Sequence, residues 1–325
     1  MNPWQQQKPL MVLAPMYDVT DTAFRQIIAK YSKPQSPAAF FTEFVSVEGL
    51  ASSAGQKLEQ MLWFDPAIER PIIAQLFGAT PSLFERAARR MVELGFDGID
   101  INMGCPDCTI MKQGSCSALI DNPKLVHEII AATKAGAGEL PVSVKTRIGT
   151  NRIVTEKWIT YLLQTQPAAI TVHGRTAKEM SKVPCHWDEI GKAVAVAKGS
   201  GVLIVGNGDV VSLADAREKV KRYGVDGIML GRAIFGNPWL FAEHEPSIEE
   251  KLRVCIEHTR LFEKYFVKGA RALKEHNWPP KNFAVMKKHY KAYVNGFDGA
   301  KELRIRLMDQ ESADGVVREI ERFMA

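Results

Sequence analysis

Cys105 sits in Gly104-Cys105-Pro106, directly after a short apolar run. A free thiol has a pKa of about 8.5, so near neutrality it is mostly protonated and can serve as a general acid. Cys105-Pro106-Asp107-Cys108 also spells Cys-x-x-Cys, with Cys116 further on. Thiol–disulfide exchange or iron–sulfur ligation is therefore a second reading, and a buried inert cysteine a third. A four-ligand site would need Cys185 or Cys255 as well, and neither has paired spacing. The odd total of five cysteines suits a reducing compartment better than a disulfide framework.

Three further constellations carry chemistry. Lys145 lies within Val142-Ser143-Val144-Lys145-Thr146-Arg147, and an ammonium inside an apolar strand is costly unless it meets negative charge. It suits a place beneath a group that becomes negative during reaction. Gly206-Asn207-Gly208-Asp209 and Gly231-Arg232 let backbone N–H groups approach an anion, and Arg232 adds a planar, permanently charged donor. His173-Gly174-Arg175-Thr176 offers hydrogen bonds to a ring or a phosphate, although His173 alone is equally well read as a structural histidine.

These residues need a frame to bring them together. Eight short apolar runs recur, at Leu10–Ala14, Ala39–Thr42, Pro71–Phe77, Gly98–Ile101, Pro141–Thr146, Ala168–Val172, Val202–Val205 and Asp226–Leu230. Most are continuous rather than alternating, as in strands covered on both faces. Amphipathic stretches such as Ser82–Leu94, Pro123–Ala135 and Leu213–Tyr223 lie between them. Thr80-Pro81 and Asp121-Asn122-Pro123 sit at helix starts, and Gly95 and Gly224 at helix ends. Strand and helix alternating eight times predict an α/β fold, a (β/α)8 TIM barrel. A doubly wound sheet is the competing architecture. Its Gly-x-Gly-x-x-Gly is missing, because the first strand runs into Ala14-Pro15-Met16. In a barrel Glu43, Gln75, Asn102, Cys105, Lys145, Arg147, His173, Arg175, Asn207, Asp209, Gly231 and Arg232 all converge on the C-terminal mouth.

The chain has 325 residues, enough for a barrel of about 250 and an appendage. With 46% hydrophobic and 24% charged residues it has the balance of a soluble globular protein. No run reaches the roughly 18 apolar residues of a membrane span. The start, Met1-Asn2-Pro3-Trp4-Gln5-Gln6-Gln7-Lys8, lacks a secretory layout, so a cytoplasmic location is expected. Of the net charge of +5, a surplus of 4 lies in residues 246–325. Residues 264–291 hold eight basic side chains against Glu275 alone, interleaved with Tyr265, Phe266, Trp278, Phe283 and Tyr290. That mixture suits a nucleic-acid surface, although taken by itself it is better read as a solvated helix face over an aromatic core. Pro246 and the capping-box pattern Ser247-Ile248-Glu249-Glu250 predict a boundary between a barrel at 1–245 and an all-helical domain at 246–325. Trp278-Pro279-Pro280 should break the chain before another helix near Lys281.

Together the strings Ala14-Pro15-Met16, Gln75-Leu76-Phe77-Gly78, Asp100-Ile101-Asn102-Met103-Gly104-Cys105-Pro106, Val144-Lys145-Thr146-Arg147, His173-Gly174-Arg175-Thr176, Asn207-Gly208-Asp209, Gly231-Arg232-Ala233 and Gly236-Asn237-Pro238-Trp239 resemble the tRNA-dihydrouridine synthase family. Lys287-Lys288-His289-Tyr290 and Arg304 resemble its helical tail. The resemblance implies FMN as cofactor, NADPH as reductant and tRNA as substrate, in a monomer. It implies that Pro15, Met16, Tyr17, Gln75, Lys145 and His173 line the flavin ring, and that Asn207, Gly208, Asp209, Gly231 and Arg232 hold its phosphate. Cys105 would protonate C5 of a uracil that receives hydride at C6. Asn102, Arg147, Arg175, Lys287 and Lys288 would meet substrate. Two positions depart from the family pattern. Cys108 and Thr109 stand where a basic residue is common, and Tyr17 replaces a smaller or acidic residue. A flavin reductase of the dihydroorotate or dihydropyrimidine dehydrogenase type explains the mouth but leaves the basic tail unused. A non-catalytic RNA-binding protein explains the tail but not the mouth.

Overall fold

The structure is a computed structural model that describes residues 2–268 and 281–325. Its strands are β1 (Leu10–Leu13), β2 (Phe40–Phe41), β3 (Val45–Ser46), β4 (Ile72–Phe77), β5 (Gly98–Met103), β6 (Val142–Arg147), β7 (Ala169–His173), β8 (Leu203–Asn207) and β9 (Gly227–Leu230). Every pairing is parallel, in the order β1-β9-β8-β7-β6-β5-β4-β2. Ala38 N–H donates to Met11 O at 2.7 Å and Leu13 N–H to Ala39 O at 3.1 Å. Those two bonds close the ring. The predicted eight-position barrel is present, with one refinement. Its second position is shared by β2 and β3, both on β4, because the chain turns at Thr42–Phe44 to bury Glu43.

Each strand divides its side chains by the period of two. Outward-facing Ile99, Ile101, Val144, Ile170, Val172, Ile204 and Ile228 pack against the surrounding helices. Inward-facing Leu10, Val12, Phe41, Ile73, Ala169, Val205 and Met229 fill the lower barrel, with Trp4 against them. Higher up, the inward positions turn polar. Gln75 stands beside Asp100, Asn102 beside Lys145, and Arg147 beside His173, which in turn stands beside Asn207. The sheet thus supplies an apolar plug below and a polar layer at the mouth.

The helices follow from their sequence in the same way. Pro81–Glu93 buries Phe84, Ala87, Ala88 and Met91, one stripe of an α-helix. Leu213–Tyr223 closes on Gly224, whose φ of +70° is a left-handed cap that glycine adopts without strain. In the tail, Ser247 and Glu250 form both halves of the capping box at the start of Ile248–Phe262. The chain continues through a π-helical turn, Glu263–Lys268, and resumes as helices Lys287–Tyr293, Ala300–Met308 and Ala313–Met324. The predicted break at Trp278-Pro279-Pro280 lies outside the described residues. Phe262, Tyr290, Tyr293, Leu303 and Ile320 share one core with Ala23 and Ile27 of helix Thr22–Tyr31. The tail therefore packs on the helix that follows β1. Among the described residues no helix is long and apolar enough to cross a membrane.

Candidate active site

Asp100, fully buried on β5, lies in the floor of the site. Ser143 Oγ donates to its Oδ1 at 2.6 Å and Gln75 Nε2 to its Oδ2 at 2.7 Å. Burial still pushes its carboxyl up to about 6, against those bonds and the nearby Lys145. One residue pair nearer the mouth, Asn102 Nδ2 donates to Gln75 Oε1 at 3.0 Å. Asn102 Oδ1 accepts from the N–H groups of Gly104 and Cys105, each at 3.0 Å. A hydrogen-bonded chain from the barrel floor thus sets the shape of the cysteine turn.

Above this layer opens a cavity of about 610 Å³. Pro15, Met16, Lys145, His173, Asn207, Gly208, Asp209, Gly231 and Arg232 all line it, joined by Ser181, Val211 and Met229. Lys145 projects from the polar floor, and its ammonium has no hydrogen-bond acceptor among the described residues. Burial and Arg147 bring its pKa down to about 8. His173 is held neutral, well below the usual imidazole range, by burial and the surrounding cations of Lys145, Arg147, Arg175 and Arg232. Arg175 Nη1 lies 3.1 Å from His173 Nε2. Since a guanidinium only donates, Nε2 accepts and the proton sits on Nδ1.

At the opposite wall Asp209 joins two arginines. One carboxylate oxygen accepts from Arg175, the other from Arg232. Burial opposes ionisation of Asp209, but the hydrogen bonds from Arg175 and the Cys185 N–H and the charges of Arg175 and Arg232 together outweigh it and lower its pKa. Arg232 keeps 66% of its side chain exposed, so most of its donors stay free for a ligand. Gly208, at φ +123°, has no room for a Cβ, which would lie 2.6 Å from Cys185 Sγ. The site's permanent charge is thus Lys145, Arg175 and Arg232 against Asp209, a balance that favours an anion.

Cys105 is half-buried at the end of β5. A hydrogen bond from the Cys116 thiol lowers its pKa to about 7, helped by the Asp107 N–H and by Arg147 and opposed by burial. Cys108 is exposed and opens the short helix Cys108–Lys112. The thiol beside Cys105 is Cys116, not the Cys-x-x-Cys partner. Among the described residues no group of three or more His, Cys, Asp and Glu is placed to hold a metal ion.

The remaining residues read from the sequence stand elsewhere. Gln75 and Asn102 lie beneath the turn, fully engaged with it and with Asp100. Tyr17 is 56% exposed at the rim, its ring 5.6 Å from Phe44. Arg147 is buried and ties the loops after β5 and β7 together, donating to Gly104 O at 2.7 Å and to Thr176 O and Met180 O at 3.0 Å. Arg175 is buried likewise and donates to Val183 O at 2.6 Å. Lys288 is exposed and donates to Asp18 O at 3.0 Å, so this helix lies beside the loop after β1. Lys287 is next to it in sequence, half-buried. Cys116 is marked in the sequence only as a companion of the Cys-x-x-Cys, and no spacing or period marks Ser181. Alternation along β9 would have pointed to Met229.

A family profile described as dihydrouridine synthase (Dus) matches residues 12–324. A protein of Staphylococcus epidermidis named probable tRNA-dihydrouridine synthase is 38% identical over 312 residues, 94% of this chain and 90% of the relative. One of Bacillus subtilis, named probable tRNA-dihydrouridine synthase 2, is 38% identical over 322 residues, 97% of this chain and 94% of the relative. Among solved structures, morphinone reductase in complex with tetrahydroNAD superposes with a TM-score of 0.50 at 14% identity, covering 74% of this chain and 89% of that one. That likeness bears on the barrel alone. With the family profile spanning almost the whole sequence, the chain belongs to the dihydrouridine synthase family.

Proposed function

We propose that the protein is an FMN-dependent tRNA-dihydrouridine synthase, reducing the C5=C6 bond of a uridine in tRNA at the expense of NADPH. The observation that carries this reading is the unpaired Lys145 ammonium on the floor of an open cationic cavity, with the Cys105 thiol on the neighbouring strand turn. A flavin fits these donors. Lys145 meets a ring that becomes negative, neutral His173 offers an Nδ1–H, and Pro15 and Met16 present an apolar edge. Arg232 and the backbone N–H groups around Gly208 and Gly231 suit a phosphate. When bound, FMN supplies the hydride for C6.

The protein's own residues do the rest. Cys105 gives its proton to C5 and is left as a thiolate beside Arg147. Asn102 fixes the turn that aims the thiol, through the N–H groups of Gly104 and Cys105. Arg147 and Arg175 act by holding the loops after β5, β7 and β8 around the cavity. Tyr17 sits where a nucleobase enters, Gln75 supports Asn102, and Lys287 and Lys288 suit tRNA phosphates. Residues 1–245 are the catalytic unit and 246–325 the RNA-binding unit of a cytoplasmic monomer. Cys105→Ala tests the reading. The variant keeps its flavin absorption, because the thiol is no cofactor ligand, while dihydrouridine formation on tRNA falls by about 10² or more, the scale of general acid catalysis. Undiminished turnover would overturn the assignment.

A further inference from the structure

Asp100 and Asn102 alternate with Ile101 on β5, so the strand's period of two turns both side chains into the barrel. Gln75, the β4 neighbour of Asp100 in register, bonds to both of them. Among the described residues no lysine, arginine or histidine hydrogen-bonds Asp100. Its partners are the Ser143 hydroxyl at 2.6 Å and the Gln75 amide at 2.7 Å. A fully buried carboxylate held by neutral donors alone is costly, and the series of bonds that begins on it shows its use.

That series has a direction. At its upper end stand the Gly104 and Cys105 N–H groups, which only donate, so Asn102 must turn its Oδ1 toward them. Asn102 then has only Nδ2 to offer Gln75, whose Oε1 accepts it at 3.0 Å. Gln75 in turn has only Nε2 for the floor. The floor must therefore accept, and an ionised carboxylate accepts without being able to donate. Resting on the proposed acid role of Cys105, we infer that Asp100 is a positioning residue for the protonation step: its carboxylate holds Gln75 and Asn102 head to tail in the one polarity that gives the Cys105 turn its acceptor. Aligned amides that end on a charge polarise one another, so the bonds of the series are stronger than isolated neutral ones. With a donor at the floor, Gln75 would turn over and Asn102 would follow. Its Nδ2 would then face two N–H groups, and the turn would lose its hold.

Moving the charge tests the polarity. In Asn102→Asp a carboxylate lies on each side of Gln75, whose amide can donate toward one and must oppose the other. Adding Asp100→Asn lets the series run the opposite way. The new amide at position 100 donates to Gln75, Gln75 donates to the new carboxylate at position 102, and that carboxylate still accepts from the turn. Asn102→Asp alone should lower both the folded-to-unfolded ratio in denaturant and the single-turnover rate of uridine reduction on tRNA about tenfold, the scale of one hydrogen bond to a charged group. The double variant, flavin-loaded and full-length like the single one, should recover most of both. If Asn102→Asp does not fold, a folded double variant is itself the rescue. A double variant no better than Asn102→Asp, or an Asn102→Asp enzyme equal to wild type, overturns the proposal. Stability rescued without rate overturns the positioning role, because the series would then serve the fold alone. Gln75→Met removes the relay, so the rescue should shrink in that background. An undiminished rescue there means repulsion through space between the two carboxylates, and overturns the relay. Denaturant unfolding involves no turnover. If Cys105→Ala were itself fully active, the acid assignment would fall while the rescue of stability still reported on Asp100, so the two failures are distinguishable.

Discussion

At the residue scale the site holds a conflict between stability and function at Lys145. Its pKa of about 8, displaced downward from 10.5, means that the fold disfavours the ammonium. The sign follows from linkage. The folded state binds fewer protons than the unfolded chain between those two values, so the penalty is fully present below pH 8 and fades as pH rises toward 10.5. An anionic ligand over the ammonium reverses the balance. Lys145→Met, similar in length and uncharged, should stabilise the ligand-free protein by about 1–3 kcal/mol, discounted for the solvent the cavity admits. Flavin affinity should fall at the same time. Thermal unfolding with and without added FMN checks both. An apo-protein that melts lower than wild type would contradict the assignment of an unpaired cation. Lys145 was legible in the sequence because an ammonium interrupts an apolar strand. Its neighbour Ser181 was not, because a loop residue acquires its place only when the loop folds back over the mouth.

The barrel elements were readable for a different reason. Strands covered on both faces leave continuous apolar runs, and Gly224 and Ser247 carry their helix-ending chemistry locally. What sequence could not show is how the elements are tied. Helix Thr22–Tyr31 follows the loop that carries Pro15 and Met16, and it is anchored by Arg25, whose side chain is fully buried. Arg25 Nε donates to Glu69 Oε2 at 2.5 Å, Nη1 to Thr20 O at 2.6 Å and Nη2 to Trp63 O at 2.8 Å. Glu69 Oε1 also accepts from Thr22 Oγ1 at 2.5 Å and from Asp65 N–H at 2.9 Å. The partners lie 44 residues apart, beyond any local pattern. Arg25→Ala leaves a buried carboxylate without its cation and should cost about 3–5 kcal/mol in denaturant unfolding. A loss near 0.5 kcal/mol, usual for surface changes, would show that the pair is not buried in solution. The loop that positions Pro15 and Met16 depends on this anchor, through Thr20.

For the molecule as a whole, the question is what couples the helical tail to the mouth of the barrel. Besides their shared apolar core and the Lys30–Glu257 pair at 2.7 Å, an ionic clasp joins them beside the mouth. Lys281 Nζ lies 2.7 and 2.9 Å from the two oxygens of Glu43, and 3.5 Å from both Asp18 and Asp21. Asp18 N–H also donates to Glu43 Oε1 at 2.6 Å. Three carboxylates thus converge on one cation beside the loop that borders the cavity. Burial pushes the Glu43 carboxyl up even with Lys281 present. The Lys281 ammonium is raised by Asp21 and Glu43, which overcome its own burial. In Lys281→Met the carboxylates repel one another, and the folded-state pKa of Glu43 rises further. The folded variant then binds more protons than its unfolded chain, so its stability falls as pH rises through that window. The deficit relative to wild type should be about 3–5 kcal/mol at pH 8. It should be smaller by at least about 1.4 kcal/mol at pH 5, the equivalent of one pKa unit. Denaturant unfolding at the two pH values measures the difference. A deficit independent of pH would mean that Lys281 acts by packing within the tail, against Phe266, whose ring centroid is 5.1 Å from its ammonium, and not through the carboxylates of the barrel.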